Sequence, residues 1–291
     1  MDEIYEFTTR EKAFLGPLTL RNTKNKFFLA TATEWNSQST KIPFEWLVNG
    51  IDTYSDLGAL TRDAVLGYQG DESTEYVKFA EKLMKGVDIN ISRFDLKVKK
   101  IPVFHNDPFS PPSLIINGQL LRPTEQTQLE VKTIHEIVDK ESKEKKFCQL
   151  MLEEESKGTQ LLFWFSPVLK KALAQGKTII VDEIEQGIHP AAIKYIINLF
   201  RNSLSNQYGA QLILTTHCTN LLRLDIFRRD QIYLIEKDRN TAESKIHSLL
   251  DSSVRKDENI ENGYLSGRYG AVPDIKEMIL KHMEAIEYMD P

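Results

Sequence analysis

The stretch TIIVDEIEQGIHP, residues 178–190, decides how this chain is read. Ile179, Ile180 and Val181 are β-branched and apolar, which suits a buried strand. The strand runs directly into two carboxylates, Asp182 and Glu183, and then into a glycine and a His-Pro pair. In a parallel sheet, ligands bind in the crevice at the carboxyl ends of the strands. Successive side chains on a strand point opposite ways, but at its end both can reach the crevice. An aspartate there can hold a magnesium ion, directly or through water. A glutamate beside it can polarise an attacking water. The alternative is an acidic strand end that faces solvent or opens a turn.

Two other stretches bear on that choice. QLILTTHCTNLL, residues 211–222, reads as the next long strand and ends in His217. A histidine at the end of a neighbouring strand can contact a phosphate or orient a water, or serve structure alone. EEESKGTQLL, residues 153–162, lies just before a helix opening near Thr159. Ser156, Gly158 and Thr159 at a helix N-terminus present hydroxyls and backbone N–H groups, an anion site by chemistry. Alone, the same residues describe an ordinary N-cap.

Around these motifs the apolar pattern predicts a helix over 159–174, a strand over 178–183, a helix over 191–203 and a strand over 211–216. A short helical stretch near 219–229 and a strand over 231–236 follow. Strands alternating with helices predict an α/β fold with a parallel sheet. Upstream, Tyr76, Phe79, Ala80, Leu83 and Met84 recur at helical spacing before Gly86. Phe94, Leu96 and Val98 alternate with charged residues as in a half-buried strand. EVKTIHEIV (130–138) and FCQLML (147–152) read as a β-hairpin. Residues 42–68 carry helix-like patterns, FFLATATEW (27–35) fits strand or helix, and HNDPFSPPS (105–113) reads as a turn-rich loop. The expected organisation is a mixed α+β arm region over 1–110 and an α/β lobe over 111–291.

Composition narrows the class. A chain of 291 residues that is 41% hydrophobic and 27% charged can bury a sizeable core. The net charge of −5 argues against a broad electrostatic grip on DNA or RNA, leaving only a local basic patch for either. Two distant cysteines, Cys148 and Cys218, make no disulfide framework, so a reducing cytoplasm is the expected setting. The opening MDEIYEFTTREK lacks the apolar centre of a secretory leader, and QLLFWF is too short to span a bilayer.

Taken together, ESKGTQ, TIIVDEIEQGIHP and TTH resemble the signature motif, the Walker B strand with its following loop, and the switch histidine of ABC-type ATPases. The likeness is to their RecF and SMC-like group. With RRDQIYLIEKD and GYLSGRYGAVP, the pattern is similar to a prokaryotic subfamily called AAA-family ATPases, often found in phage-defence or toxin-type systems. The resemblance spans about residues 130–273. It implies a parallel-sheet ABC-type lobe that takes ATP and Mg2+. It implies that Asp182 helps hold magnesium, Glu183 is the general base and His217 senses the γ-phosphate. Ser156, Gly158 and Thr159 would meet the phosphate of a nucleotide held mainly by another subunit. A homodimer or a complementing P-loop chain is therefore implied, with an effector protein such as a nuclease or toxin as a further partner and no membrane.

The chain departs from that pattern twice. Cys218 follows the histidine where family members often carry Asp. More seriously, no stretch reads G-x-x-x-x-G-K-[ST], and the single Gly-Lys pair, Gly176-Lys177, directly precedes the carboxylate strand. The expectation is a chain that begins after the P-loop lobe, as a fragment or as half of a split enzyme; a degenerate, catalytically silent scaffold is the alternative. Arg228 and Arg229 read as a surface pair, a second metal site at Glu236 and Asp238 is a minor reading, and 273–289 reads as an amphipathic helix. With a lobe missing, Tyr5, Phe7 and Phe14 would lose packing partners and leave an apolar patch.

Overall fold

The computed structural model describes residues 6–8, 10–23, 26–71, 73–105, 114–116, 119–139, 143–238, 240–252, 254–255 and 258–272. The chain divides into two compact units, Met1–Thr215 and Thr216–Pro291. Of the loop expected over 105–113, His105 ends a strand and the rest lies outside the described residues, as does the C-terminal helix expected over 273–289.

In the first unit the elements run α1 (Lys12–Thr19), α2 (Phe28–Glu34), α3 (Gln38–Asn49), β1 (Ile51–Tyr54), α4 (Leu57–Gln69) and α5 (Ser73–Gly86). Then follow β2 (Arg93–His105), β3 (Leu114–Ile116), β4 (Gln119–Val138), β5 (Lys145–Met151), α6 (Lys157–Gln175), β6 (Thr178–Val181), α7 (Pro190–Arg201) and β7 (Gln211–Leu214). The undecided segment 27–35 is helical, as α2. The helical reading of 42–68 is interrupted by β1, a four-residue strand that apolar periodicity does not mark.

The α/β expectation holds. Strands β1, β6 and β7 form a parallel sheet with β6 in the middle, Tyr54 opposite Val181 and Val181 opposite Leu214. This sheet draws β1 from before residue 110 and the other two strands from after it. Thr178, Ile179 and Val181 are buried, as a central parallel strand requires.

Helix α6 is the main packing element, with Phe163, Phe165 and Leu169 among its fully buried side chains. It contains Pro167, which has no N–H to give to the carbonyl of Phe163 four residues back. That carbonyl accepts instead from Tyr68 Oη at 3.0 Å and from Ser166 Oγ at 2.8 Å. Burial raises the Tyr68 phenol above its ordinary pKa, which keeps it a donor. The Tyr68 ring stacks on Phe163 at 4.7 Å, and Phe94 from β2 meets Phe163 at the same distance. A Cβ at Gly67 would come to 3.1 Å from Pro167 Cβ, so α4 passes close to α6 at its proline.

A second sheet is antiparallel. β2 pairs with β4 over thirteen residue pairs, from Arg93–Ile134 to His105–Arg122. β5 pairs with the far end of β4, confirming the hairpin of 130–138 with 147–152. Near the start of the chain, Leu15, Leu18 and Ala32 form a small core with Phe7 and Phe28 packed against it. Phe14 is 50% exposed, and Tyr5 lies outside the described residues.

The second unit holds β8 (Tyr233–Lys237), β9 (Ser244–Ser248) and α8 (Ile260–Leu265) around a core of Ile232, Leu234, Leu249, Val254, Ile260 and Tyr269. The helical reading of 219–229 reduces to 3-10 turns at Thr219–Leu221 and Arg229–Gln231. The strand expected over 231–236 is present, but it pairs with β9 as an antiparallel hairpin. Asp238 Oδ1 accepts from the N–H groups of Asn240 and Thr241, which closes that hairpin turn. Asp238 therefore has a structural task, and among the described residues no three acidic, His or Cys side chains gather as a metal site. Arg228 forms a bidentate pair with Asp230 at 3.0 and 2.7 Å, while Arg229 donates to the Val254 carbonyl at 2.6 Å.

Candidate functional site

The strand of the opening motif stops at Val181, and both carboxylates sit just past its end. Backbone pairing continues one step further on each side. Asp182 N–H donates to Tyr54 O at 3.0 Å, and Thr215 N–H donates to Val181 O at 3.0 Å. This places Thr215 beside Asp182 across the sheet. Its hydroxyl donates to Asp182 Oδ1 and accepts from Glu183 N–H at 2.8 Å. One side chain thus holds both acidic residues.

That clamp matters because Glu183 has φ of 47°, in the left-handed region. A non-glycine residue there costs about 1–2 kcal/mol. The bond to Thr215 offsets part of this cost and turns the chain sharply out of the strand. Ile184 N–H donates to Thr215 O at 3.3 Å, and Gln186 N–H to Glu183 O at 3.0 Å, which further holds the turn. The Gln186 side-chain amide also donates to Glu183 Oε2. Asp182 is exposed and Glu183 half-buried.

At α6 the helix opens at Lys157, two residues before the expected start, and the N-cap reading of Ser156 holds. Ser156 is the N-cap: its Oγ accepts from Thr159 N–H at 3.1 Å and shares a 2.8 Å hydrogen bond with the Thr159 hydroxyl. The first-turn N–H groups of a helix point outward from its N-terminus and carry partial positive charge. Gly158 is required by a close approach. A Cβ there would stand 2.4 Å from the carbonyl oxygen of Gly187, in the loop that follows the carboxylates. Gly187 itself has φ of 83°, which favours glycine. The sequence-selected residues Ser156, Gly158 and Thr159 and the Asp182–Glu183 loop therefore meet in one unit.

A cleft of about 530 Å³ opens beside the start of α6, and Asp182 and Glu183 are not among the residues that line it. Ser156, Gly158, Thr159, Gly187 and His189 line it, with Gly86–Ile89 closing one side. His189 caps α7 through Nδ1, which accepts from Ala191 N–H at 3.2 Å, and Pro190 at the first helical position suits this start. Gly176-Lys177 lies at the opposite, amino end of β6. There Lys177 Nζ binds both carboxylate oxygens of Asp52, at 3.1 and 2.8 Å. His217 belongs to the second unit, two residues beyond Thr215 in the chain, and is exposed.

The donor set fits magnesium. Mg2+ prefers hard oxygen ligands and is commonly held by one or two carboxylates together with substrate phosphates rather than by an all-protein cage. Asp182, an exposed carboxylate fixed through one oxygen, matches that demand. Thr215, Gln186 and Gly187 are the residues that residue-type reasoning passed over. Thr215 was within reach, since it opens the TTH stretch at the end of β7.

Residues 93–223 match the family described as "AAA domain, putative AbiEii toxin, Type IV TA system". The match spans β2 to the segment after β7 and includes Ser156, Gly158, Thr159, Asp182, Glu183 and His217. It supports an AAA-family ATPase-like domain with a P-loop NTPase-like nucleotide-binding function. The mixed α/β architecture with its parallel three-stranded sheet agrees with such a lobe. No curated protein matches the chain. Among the described residues, no helix is long and apolar enough to cross a membrane.

Proposed function

We propose that this chain supplies one face of an ABC-type ATP site and works as a nucleotide-driven dimer, completed by a P-loop lobe that its own sequence does not contain. The observation that carries this reading is the contact of two motifs far apart in sequence. The helix start at Ser156–Thr159 touches the loop of Asp182 and Glu183 through Gly158 and Gly187. The positive N-terminal end of α6, held against the loop that follows two carboxylates, suits a triphosphate with its divalent cation.

In this reading Asp182 holds Mg2+, and Thr215 fixes the carboxylate. The Ser156 hydroxyl and the Gly158 N–H bind the γ-phosphate of an ATP held by the complementing chain, and Thr159, whose N–H is bonded to Ser156 Oγ, holds that hydroxyl in place. Glu183 takes a proton from the attacking water, with its backbone set by Thr215 and its carboxylate oriented by Gln186. His217 contacts the γ-phosphate. Mg2+ bound with ATP neutralises charge on the transferring phosphoryl group, and positioning supplies the rest of the catalysis. Because phosphoryl transfer depends on placement and charge, parts from two chains can share the work. A homodimer or a separate P-loop chain is the expected partner, in an anti-phage or DNA-maintenance system of the cytoplasm. Net charge gives nucleic acid no support.

A second reading is a catalytically silent ATPase-like scaffold that binds a nuclease or toxin. The hold of Gln186 on Glu183 favours it, as does the toxin named in the family's description. Calorimetry with Mg-ATP separates the two. The half-site reading expects no binding to this chain alone, and binding once a P-loop lobe of an AAA-family relative is supplied in trans. No nucleotide response in either case sinks it in favour of the scaffold.

A further inference from the structure

The residue before the N-cap of α6 is Glu155, which is not among the residues that line the cleft. Glu155 Oε1 accepts from the Thr133 hydroxyl at 2.6 Å and lies 2.7 Å from His135 Nε2. Thr133 is fully buried, and the side chains of His135 and Glu155 are only 19% and 11% exposed. Thr133 and His135 sit two residues apart on β4, where Thr133 pairs with Leu150 and His135 with Cys148 of β5. The Glu155 carbonyl accepts from the Gln160 side-chain amide at 2.8 Å, which folds the first turn of α6 back over this anchor. A half-buried carboxylate is thus fastened to the antiparallel sheet on one side and bonded directly to Ser156 on the other.

We infer that Glu155, held by Thr133 and His135, is a positioning residue. It sets where the Ser156 hydroxyl and the Gly158 and Thr159 N–H groups lie, and it makes the β2–β4–β5 sheet the element that moves them. The geometry leaves little slack. Ser156 follows Glu155 directly, and Thr159 N–H is bonded to Ser156 Oγ, so a shift of the Glu155 anchor is carried into the turn. A load on the sheet, such as a partner engaging it, would then alter how this turn is offered to phosphate. The claim deepens the half-site reading and rests on it for the identity of the phosphate, but the positioning itself is testable without nucleotide.

The test is site-resolved hydrogen exchange on the full chain. Glu155→Ala is expected to speed exchange at the Thr159 and Gln160 amides about tenfold or more, with Ile179 and Ile180 of β6 unchanged. A merely structural loss would speed both sets together. His135→Ala should act on the same amides, and the double variant should do no more than the stronger single one. Glu155→Gln, which keeps an acceptor for Thr133, should restore most of the protection. If Glu155→Ala does not fold, His135→Ala carries the same comparison. Unchanged exchange at Thr159, or independent additive effects of the two substitutions, overturns the inference. Mg-ATP binding by the lobe-completed protein is scored separately. Loss of local protection with no nucleotide binding even in wild type would leave positioning standing and the half-site reading refuted.

Discussion

Helices α6 and α3 each carry a proline in their interior, Pro167 and Pro43, yet they stand in opposite surroundings. Ten of the nineteen residues of α6 are buried, and the carbonyl freed by Pro167 finds two hydroxyl donors. None of the twelve residues of α3 is buried, and it leaves Ile42 76% and Trp46 50% exposed. The difference shows where the fold invests its packing. The candidate site hangs on the finished part, because α6 has Ser156 as its N-cap and leads into β6, just past whose end the carboxylates lie. The N-terminal helices keep Ile42 and Trp46 at the surface, whereas Phe7, expected to lose its packing partners, sits against Leu15, Leu18 and Ala32.

The largest break in this comparison should come from Phe163→Ala. Removing a fully buried ring that touches Tyr68 and Phe94 is expected to cost about 3–5 kcal/mol in denaturant unfolding. A cost below about 1 kcal/mol would mean α6 is not the centre of the core. Gly158→Ala comes next, at about 1–3 kcal/mol, since the added methyl meets the Gly187 carbonyl and must push the two motifs apart. Its thermal midpoint should fall, and a Gly158→Ala protein as stable as wild type would remove the reason for the glycine.

Thr215→Val is smaller, at about 1 kcal/mol, because it deletes one hydroxyl that serves Asp182 and Glu183. Thr215→Ser should recover that loss, and failure to do so would show that the methyl group, not the hydroxyl, matters. The smallest effect belongs to α3. Trp46→Ala should stay within about 0.5 kcal/mol in the isolated chain, yet weaken association with a P-loop lobe. A strong destabilisation of the chain alone would erase the contrast between the two helices.

Much of the α/β framework was legible because α6, β6, α7 and β7 each carry a clean apolar pattern. β1 was not, since IDTY is short and half polar, and it becomes a strand only by pairing with β6. The strand at 231–236 was legible as a strand but not in its partner, because periodicity carries no information on which edge a strand joins. Of the site, the residue types at Ser156, Asp182 and Glu183 were readable. The left-handed backbone of Glu183 and the double hydrogen bond from Thr215 were not. They depend on two strand ends meeting across 32 residues of chain.

The most direct test of the half-site claim is steady-state ATP hydrolysis by this chain completed with a P-loop lobe, compared with its Glu183→Gln variant. If Glu183 is the general base, turnover should fall by about 100-fold or more, while ATP-dependent association persists. Turnover unchanged by Glu183→Gln would contradict the assignment and leave the carboxylates as an acidic strand end.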